Sequence, residues 1–230
     1  MEKQTVFVCE DSIEGIFTAV YEAWARRTDR KHLYICCRKY AEEANLTLFT
    51  EYIMIETDIQ KAKKVSDTIQ KKLGGDAFIA IYQAAATEDE QKAQLIFRVI
   101  EAGLNKCLKS DRSIMEDLGN DAVIQLFKLS KRVWNETHHY YGFVRFRELE
   151  NGILYSEIEP KSDLLTLVAP HFAERLSGER WIISDKRRGR HAMHHPDTGW
   201  FITTDNLQID GNIGFFCSGK RDGAAMEGFS

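Results

Sequence analysis

The chain has 230 residues, 43% of them hydrophobic and 29% charged, a mix that suits one large or two small globular domains. The formal net charge of -4 excludes a bulk electrostatic pull toward nucleic acid or an anionic membrane, so any such binding must come from a local patch. Only 3 prolines are present, which excludes long Pro-rich linkers, and no window approaches the roughly 20 apolar residues needed to span a bilayer.

The first residues, Met1 to Asp11, lack the apolar run and small-residue cleavage site of a secretory signal. The five cysteines (Cys9, Cys36, Cys37, Cys107 and Cys217) are odd in number and include an adjacent pair, a poor disulfide framework. They read as reduced thiols, and the expected location is the cytoplasm.

Thr5–Cys9 is a short apolar run with β-branched residues and predicts a strand. Asp11 stands three residues before Glu14, the spacing of a capping box with Asp11 as the cap. Ile13, Ile16, Phe17, Val20, Tyr21 and Trp24 then form one apolar helix face. Residues 31–57 are less regular, with room for a short strand in Leu46–Ile55.

From Asp58 to about His138 the period is helical. Val65, Ile69 and Leu73 make one stripe, ended by Gly74-Gly75. Ile96, Val99, Ile100 and Cys107 make a second, and Val123, Leu126, Phe127, Ser130 and Trp134 a third. Lys61, Lys63, Lys64, Lys71 and Lys72 load the first of these helices with positive charge, most simply a solvated face.

After Gly142 the period changes. Phe143–Leu149 and Ile153–Glu159 predict strands around Asn151-Gly152, a dipeptide suited to a type I′ hairpin turn. Ser162 is placed to cap a helix carrying Leu164, Leu165, Val168, Phe172 and Leu176, in which Pro170 predicts a kink or a division in two. Trp181–Asp185 and Arg190–His195 predict strands around a Lys186–Gly189 turn, and Gly199–Thr203 one more.

The expected fold is α+β. An antiparallel sheet, β-β-α-β-β in the last third, is joined by the N-terminal strand, with the helical middle packed alongside. Residues 1–203 are expected to form a single domain: strand–helix over 5–30, helical over 58–140 and β-rich over 142–203. The Gly-rich stretch 204–230 is expected to be a weakly ordered tail.

Several groups are candidates for chemistry. Gly214 to Arg221 imitates the spacing of a phosphate-binding loop, yet Arg221 stands where magnesium binding needs Ser or Thr, which argues against a nucleotide site. His191, His194 and His195, with the adjacent pair His138 and His139, lack a coherent zinc ligand set, so no metal and no cofactor is expected.

Lys186, Arg187, Arg188 and Arg190 crowd one turn, and no acidic residue falls between Lys186 and His195, which makes a local anion site. In Glu136–Arg147 aromatics alternate with Arg145 and Arg147, a composition that suits base stacking and phosphate contact as well as a core strand. His171 and Arg175 share a helix face if the helix continues through Pro170. A His–carboxylate pair can be drawn from His138 or His171 with Glu136 or Asp185, with salt links between helix and sheet as the alternative.

The pieces Glu136-Thr137-His138, Gly142-Phe143-Val144-Arg145-Phe146, His171-Phe172-Ala173-Glu174-Arg175 and Trp181-Ile182-Ile183-Ser184-Asp185-Lys186-Arg187 resemble a bacterial family assigned to DNA metabolism or DNA repair. The opening Cys9 to Trp24 is similar too, so the likeness covers most of residues 5–195. The resemblance implies a gene encoded beside a DNA-repair radical S-adenosylmethionine (radical SAM) protein, and sometimes fusion to a uracil-DNA-glycosylase-like domain. It implies no catalytic residue. The cysteines supply no C-x-x-x-C-x-x-C motif, so radical chemistry would belong to the partner. His139 departs from the family pattern, which has a basic residue there; a phosphate contact at that position would depend on pH.

Three functions from different classes are therefore carried forward. One is a DNA-binding accessory partner of a radical SAM repair protein, contacting DNA through Arg145, Arg175, Lys186, Arg187, Arg188 and Arg190. Another is a hydrolase or lyase acting on damaged DNA through His138, His171, Asp185 and Glu136. The third is a protein-interaction module whose cationic turn meets an acidic partner. Convergence of the histidines and Asp185 in one pocket would favour the enzyme.

Overall fold

A computed structural model describes residues 4–26, 32–41, 50–107, 113–150 and 152–204. The expected tail and the Gly214–Arg221 segment lie outside the described residues, apart from Thr204. The chain falls into two compact units, Met1–Trp134 and Asn135–Ser230. The class is α+β, with parallel and antiparallel sheets and a helical middle.

In the first unit, β1 (Gln4–Cys9) lies between β2 (Leu33–Cys37) and β3 (Thr50–Met54), parallel to both. The N-terminal strand thus belongs to its own small parallel sheet and does not join the C-terminal one. The reason is legible in its side chains. Phe7 and Cys9 enter the main core, while Val6 and Val8 meet Cys36 on the opposite face. A strand apolar on both faces suits a parallel sheet covered on both sides.

Helix α1 (Ile13–Ala25) starts at Ser12, whose Oγ accepts from the Gly15 N–H at 3.0 Å. Asp11, the expected cap, instead pairs with Lys92. Gly15 has no room for a side chain, since a Cβ there would stand 2.5 Å from the Glu10 carbonyl oxygen.

After α2 (Arg38–Ala41) and β3 come α3 (Ile59–Leu73) and α4 (Gly75–Ala85), separated at Gly74. The Asp58 carboxylate caps α3, accepting from Gln60 and Lys61 N–H groups at 2.9 and 3.1 Å. Val65, Ile69 and Leu73 are buried as expected. Helices α5 (Lys92–Cys107) and α6 (Asp121–Phe143) follow, and Ile96, Val99, Ile100, Val123 and Leu126 enter the core. The third stripe is only half right: Phe127 and Trp134 are exposed.

Helix α6 also runs on to Phe143, so the strand expected from Phe143 shrinks to β4 (Arg147–Glu148). Buried Thr137, with Glu136 and Tyr140 engaged in tertiary contacts, holds the aromatic segment helical, overriding its β propensity.

The second unit holds a five-stranded sheet in the order β4, β5 (Leu154–Ile158), β6 (Trp181–Asp185), β7 (Arg190–His195), β8 (Gly199–Thr203). All pairs are antiparallel except β5 with β6. Helix α7 (Leu165–Arg175) connects those two and returns the chain to the same end, which forces a parallel pair.

Leu149 N–H donates to Ile153 O at 2.9 Å and Gly152 N–H to Leu149 O at 2.8 Å, while Asn151 of the expected type I′ turn lies outside the described residues. Gly152, at φ 74°, takes a left-handed conformation that favours glycine. Helix α7 is assigned continuously through Pro170 and begins at Leu164 without a side-chain cap, so Ser162 does not cap it. Ile153, Tyr155, Ile182 and Met193 cluster on one face of the sheet, and Trp181, Ile183 and Ala192, which alternate with them, are buried as well.

Candidate functional site

The basic turn between β6 and β7 is built around Asp185, whose side chain is 0% exposed. Its Oδ1 accepts from the backbone N–H groups of Arg187 at 2.9 Å and Arg188 at 3.2 Å. Its Oδ2 takes the Arg188 guanidinium at 3.0 Å. Arg188 also donates to the carbonyls of Pro160 at 3.2 Å and Lys161 at 2.6 Å, and its side chain is only 17% exposed. It is a strut between the turn and the loop after β5. Gly189, at φ 60°, completes the bend.

Acids from other segments meet the remaining cations. Arg190 pairs with Asp163, and Lys186 lies 3.4 Å from Glu157. Arg187 and Lys186 are exposed. The turn therefore exposes Arg187, whose backbone N–H the buried carboxylate holds, and Lys186, which pairs with Glu157.

Glu136 works on the same loop. Its carboxylate accepts from Lys161 N–H at 2.6 Å and Ser162 N–H at 3.2 Å. Burial pushes the Tyr140 phenol up; a hydrogen bond with the Glu159 backbone opposes this, and Glu136, Asp185 and Glu159 add to it. Glu136 and Asp185 thus belong to one hydrogen-bonded corner, where both hold backbone in place.

His138 and His171 meet at Tyr141. His171 stacks on Tyr141 with ring centroids 4.1 Å apart, and His138 meets Tyr141 at 5.2 Å. Tyr141 donates its hydroxyl to Leu167 O at 3.1 Å. Among the described residues, the buried His171 Nε2 finds no hydrogen-bond partner. Burial holds the His171 imidazole below its ordinary pKa; Arg175 and His138 act in the same direction and Glu174 opposes them. With Nε2 unpartnered, His171 makes no hydrogen bond through that atom to Glu136 or Asp185.

Arg145 is exposed and folds back on the end of α6, donating to the carbonyls of Gly142 at 2.8 Å and Val144 at 3.2 Å. Arg175 is exposed one turn beyond His171.

The β7 histidines have separate surroundings. His191 Nδ1 lies 2.7 Å from Ser184 Oγ, and His195 sits beside Asp197. His194 stacks on Trp181 with its Nδ1 2.8 Å from Glu179 O. Among the described residues, no group of three or more His, Cys, Asp or Glu is arranged to hold a metal ion.

Sequence reasoning missed two features. One is Lys92, 4% exposed, which donates to Ala85 O at 2.8 Å and Thr87 O at 2.6 Å and pairs with Asp11. The other is the exposure of Phe127 and Trp134. The first carried no local signal. The second left one: Phe127 and Trp134 fall beside Val123 at one edge of the buried arc, away from Leu129 and Val133.

The profile of DUF4130, a domain of unknown function, matches residues 90–222, and the chain belongs to that family. No curated protein matches it. A solved structure described as the DHH domain of a member of a family of ribosomal proteins is similar at 10% identity and a TM-score of 0.36, over 84% of this chain and 73% of that one.

Proposed function

We propose that the chain is a DNA-binding accessory protein for a repair or modification enzyme, with a radical SAM protein as its partner. The observation that carries the choice of binding over catalysis is the use made of the carboxylates. Asp185 and Glu136 are both committed to backbone N–H groups, and the buried His171 Nε2 has no hydrogen-bond partner among the described residues. The same commitment fixes a turn on which Arg187 and Lys186 are exposed, Lys186 with Glu157 beside it, where an anion can reach them. A preset pair of cations suits phosphate contact, which positions a protein on DNA without reading sequence. The motifs shared with the DNA-metabolism family support the partner.

The test uses the two outward cations and leaves the struts alone. If each covers one phosphate, each contributes about -0.9 to the log–log salt slope for duplex DNA. The Lys186→Ala/Arg187→Ala variant should flatten that slope by roughly 1.8 and melt at nearly the wild-type temperature. An unchanged slope in the folded variant removes the turn from the interface. Gentle-salt pull-down from the native host should enrich the radical SAM protein; absence of enrichment counts against the partnership.

A further inference from the structure

Helix α6 buries Val123, Leu126, Leu129 and Val133. Its outer surface in the first unit holds two large aromatics, Phe127 at 51% and Trp134 at 47% exposure. Lys131 stands between them, so residues 127, 131 and 134 fall at i, i+4 and i+7 on one stripe. Lys128 and Arg132, also exposed, form the adjoining row. No acidic residue occurs on the helix between Asp121 and Glu136. The acids facing this region come from elsewhere: Glu88, Asp89 and Glu90 line a groove with Lys128 and Arg132. They sit along the outer row and leave Lys131 as the cation between the rings.

Exposed aromatic rings are the residues least suited to water, and here they alternate with cations rather than forming an apolar patch. That composition matches a ligand with flat apolar faces and a negative backbone. Unpaired bases supply the faces and the phosphates supply the charge; duplex DNA hides its base faces. We infer that the Phe127–Lys131–Trp134 stripe is a stacking platform for single-stranded DNA, an inference that rests on the proposed role on DNA and adds a second surface to it.

The experiment titrates the full chain with oligo(dT) and follows tryptophan emission and affinity. Wild type should show saturable quenching, and Trp134→Phe should lose the quenching while keeping most of the affinity. Phe127→Ala/Trp134→Ala should weaken oligo(dT) binding by at least about fivefold, the lower end of what one stacked base contributes. Lys131→Ala should reduce the single-strand salt slope by about 0.7. Duplex binding through Lys186 and Arg187 should persist in these variants, with unchanged melting temperature as the folding control.

Wild type that binds duplex without a change in Trp134 emission on oligo(dT) overturns the platform and leaves the proposed role standing. Loss of binding to both nucleic acids in wild type overturns both. If Phe127→Ala/Trp134→Ala keeps oligo(dT) affinity but abolishes self-association or capture of the radical SAM partner, the stripe is a protein contact and the platform falls.

Discussion

Arg188 and Arg187 are neighbours with opposite tasks. The Arg188 guanidinium closes over a carboxylate that has no access to water, whereas Arg187 contributes its backbone N–H and directs its side chain outward. Removing one partner of a buried pair leaves an uncompensated charge, which costs several kcal/mol. Arg188→Ala should therefore lose roughly 3 kcal/mol in urea unfolding, and Arg187→Ala should stay within about 0.5 kcal/mol of wild type. Equal losses in the two variants would contradict the strut. His171 gives a pH test at the same scale. Its folded-state pKa lies below the ordinary imidazole value of 6.5, so the unfolded chain takes up the proton first. Stability from keeping it neutral is full above that value and is lost as pH falls from it toward the folded-state pKa. His171→Phe keeps a ring on Tyr141 and has nothing to titrate. Its melting temperature should drop less than wild type's between pH 7.5 and 5.5; parallel drops would assign the acid sensitivity to other groups.

Among elements, Lys92 has the widest reach. It stands at the start of α5, donates to the end of α4 and the loop behind it, and meets Asp11 on the segment leaving β1. Three parts of the first unit are thereby tied by one ammonium group. Lys92→Met keeps much of the stem's packing but deprives two buried carbonyls of a donor, at about 1–3 kcal/mol each. Chemical denaturation should show a loss of that order, and a variant as stable as wild type would mean that water replaces the ammonium. The turn between β6 and β7 depends in turn on Gly189. A side chain in the left-handed region costs about 1–2 kcal/mol, so Gly189→Ala should lower stability by roughly 1 kcal/mol and Gly189→Asn by less.

For the whole molecule, a net charge of -4 means that the proposed DNA binding would run through a patch, with the rest of the surface repelling DNA. Two phosphate contacts give a slope near -1.8, so duplex affinity should fall only about tenfold between 50 and 200 mM salt. A loss beyond a hundredfold would call for more cations than the turn presents. The DUF4130 match begins at residue 90 and runs through both units, so the family likeness is not confined to the second unit that holds this turn.

Local pattern was enough for much of the architecture. The strands at Trp181–Asp185, Arg190–His195 and Gly199–Thr203 follow from alternation and turn residues, and the buried stripes of α1 and α3 from 3.6-residue spacing. The α+β class follows from their order. Partnership between distant segments did not follow. Lys186 to His195 contains no acid, yet Asp185 borders it and Glu157 and Asp163 reach it from 29 and 27 residues away, turning most of a cationic run into bracing. The extra length of α6 has the same origin, since Glu136 bonds to Lys161 and Ser162 and Tyr141 to Leu167. Hydrophobic periodicity is a property of neighbours along the chain and survives in sequence. Which charge is neutralised, which carboxylate is consumed and which aromatic is left facing water are set by groups that only folding brings together.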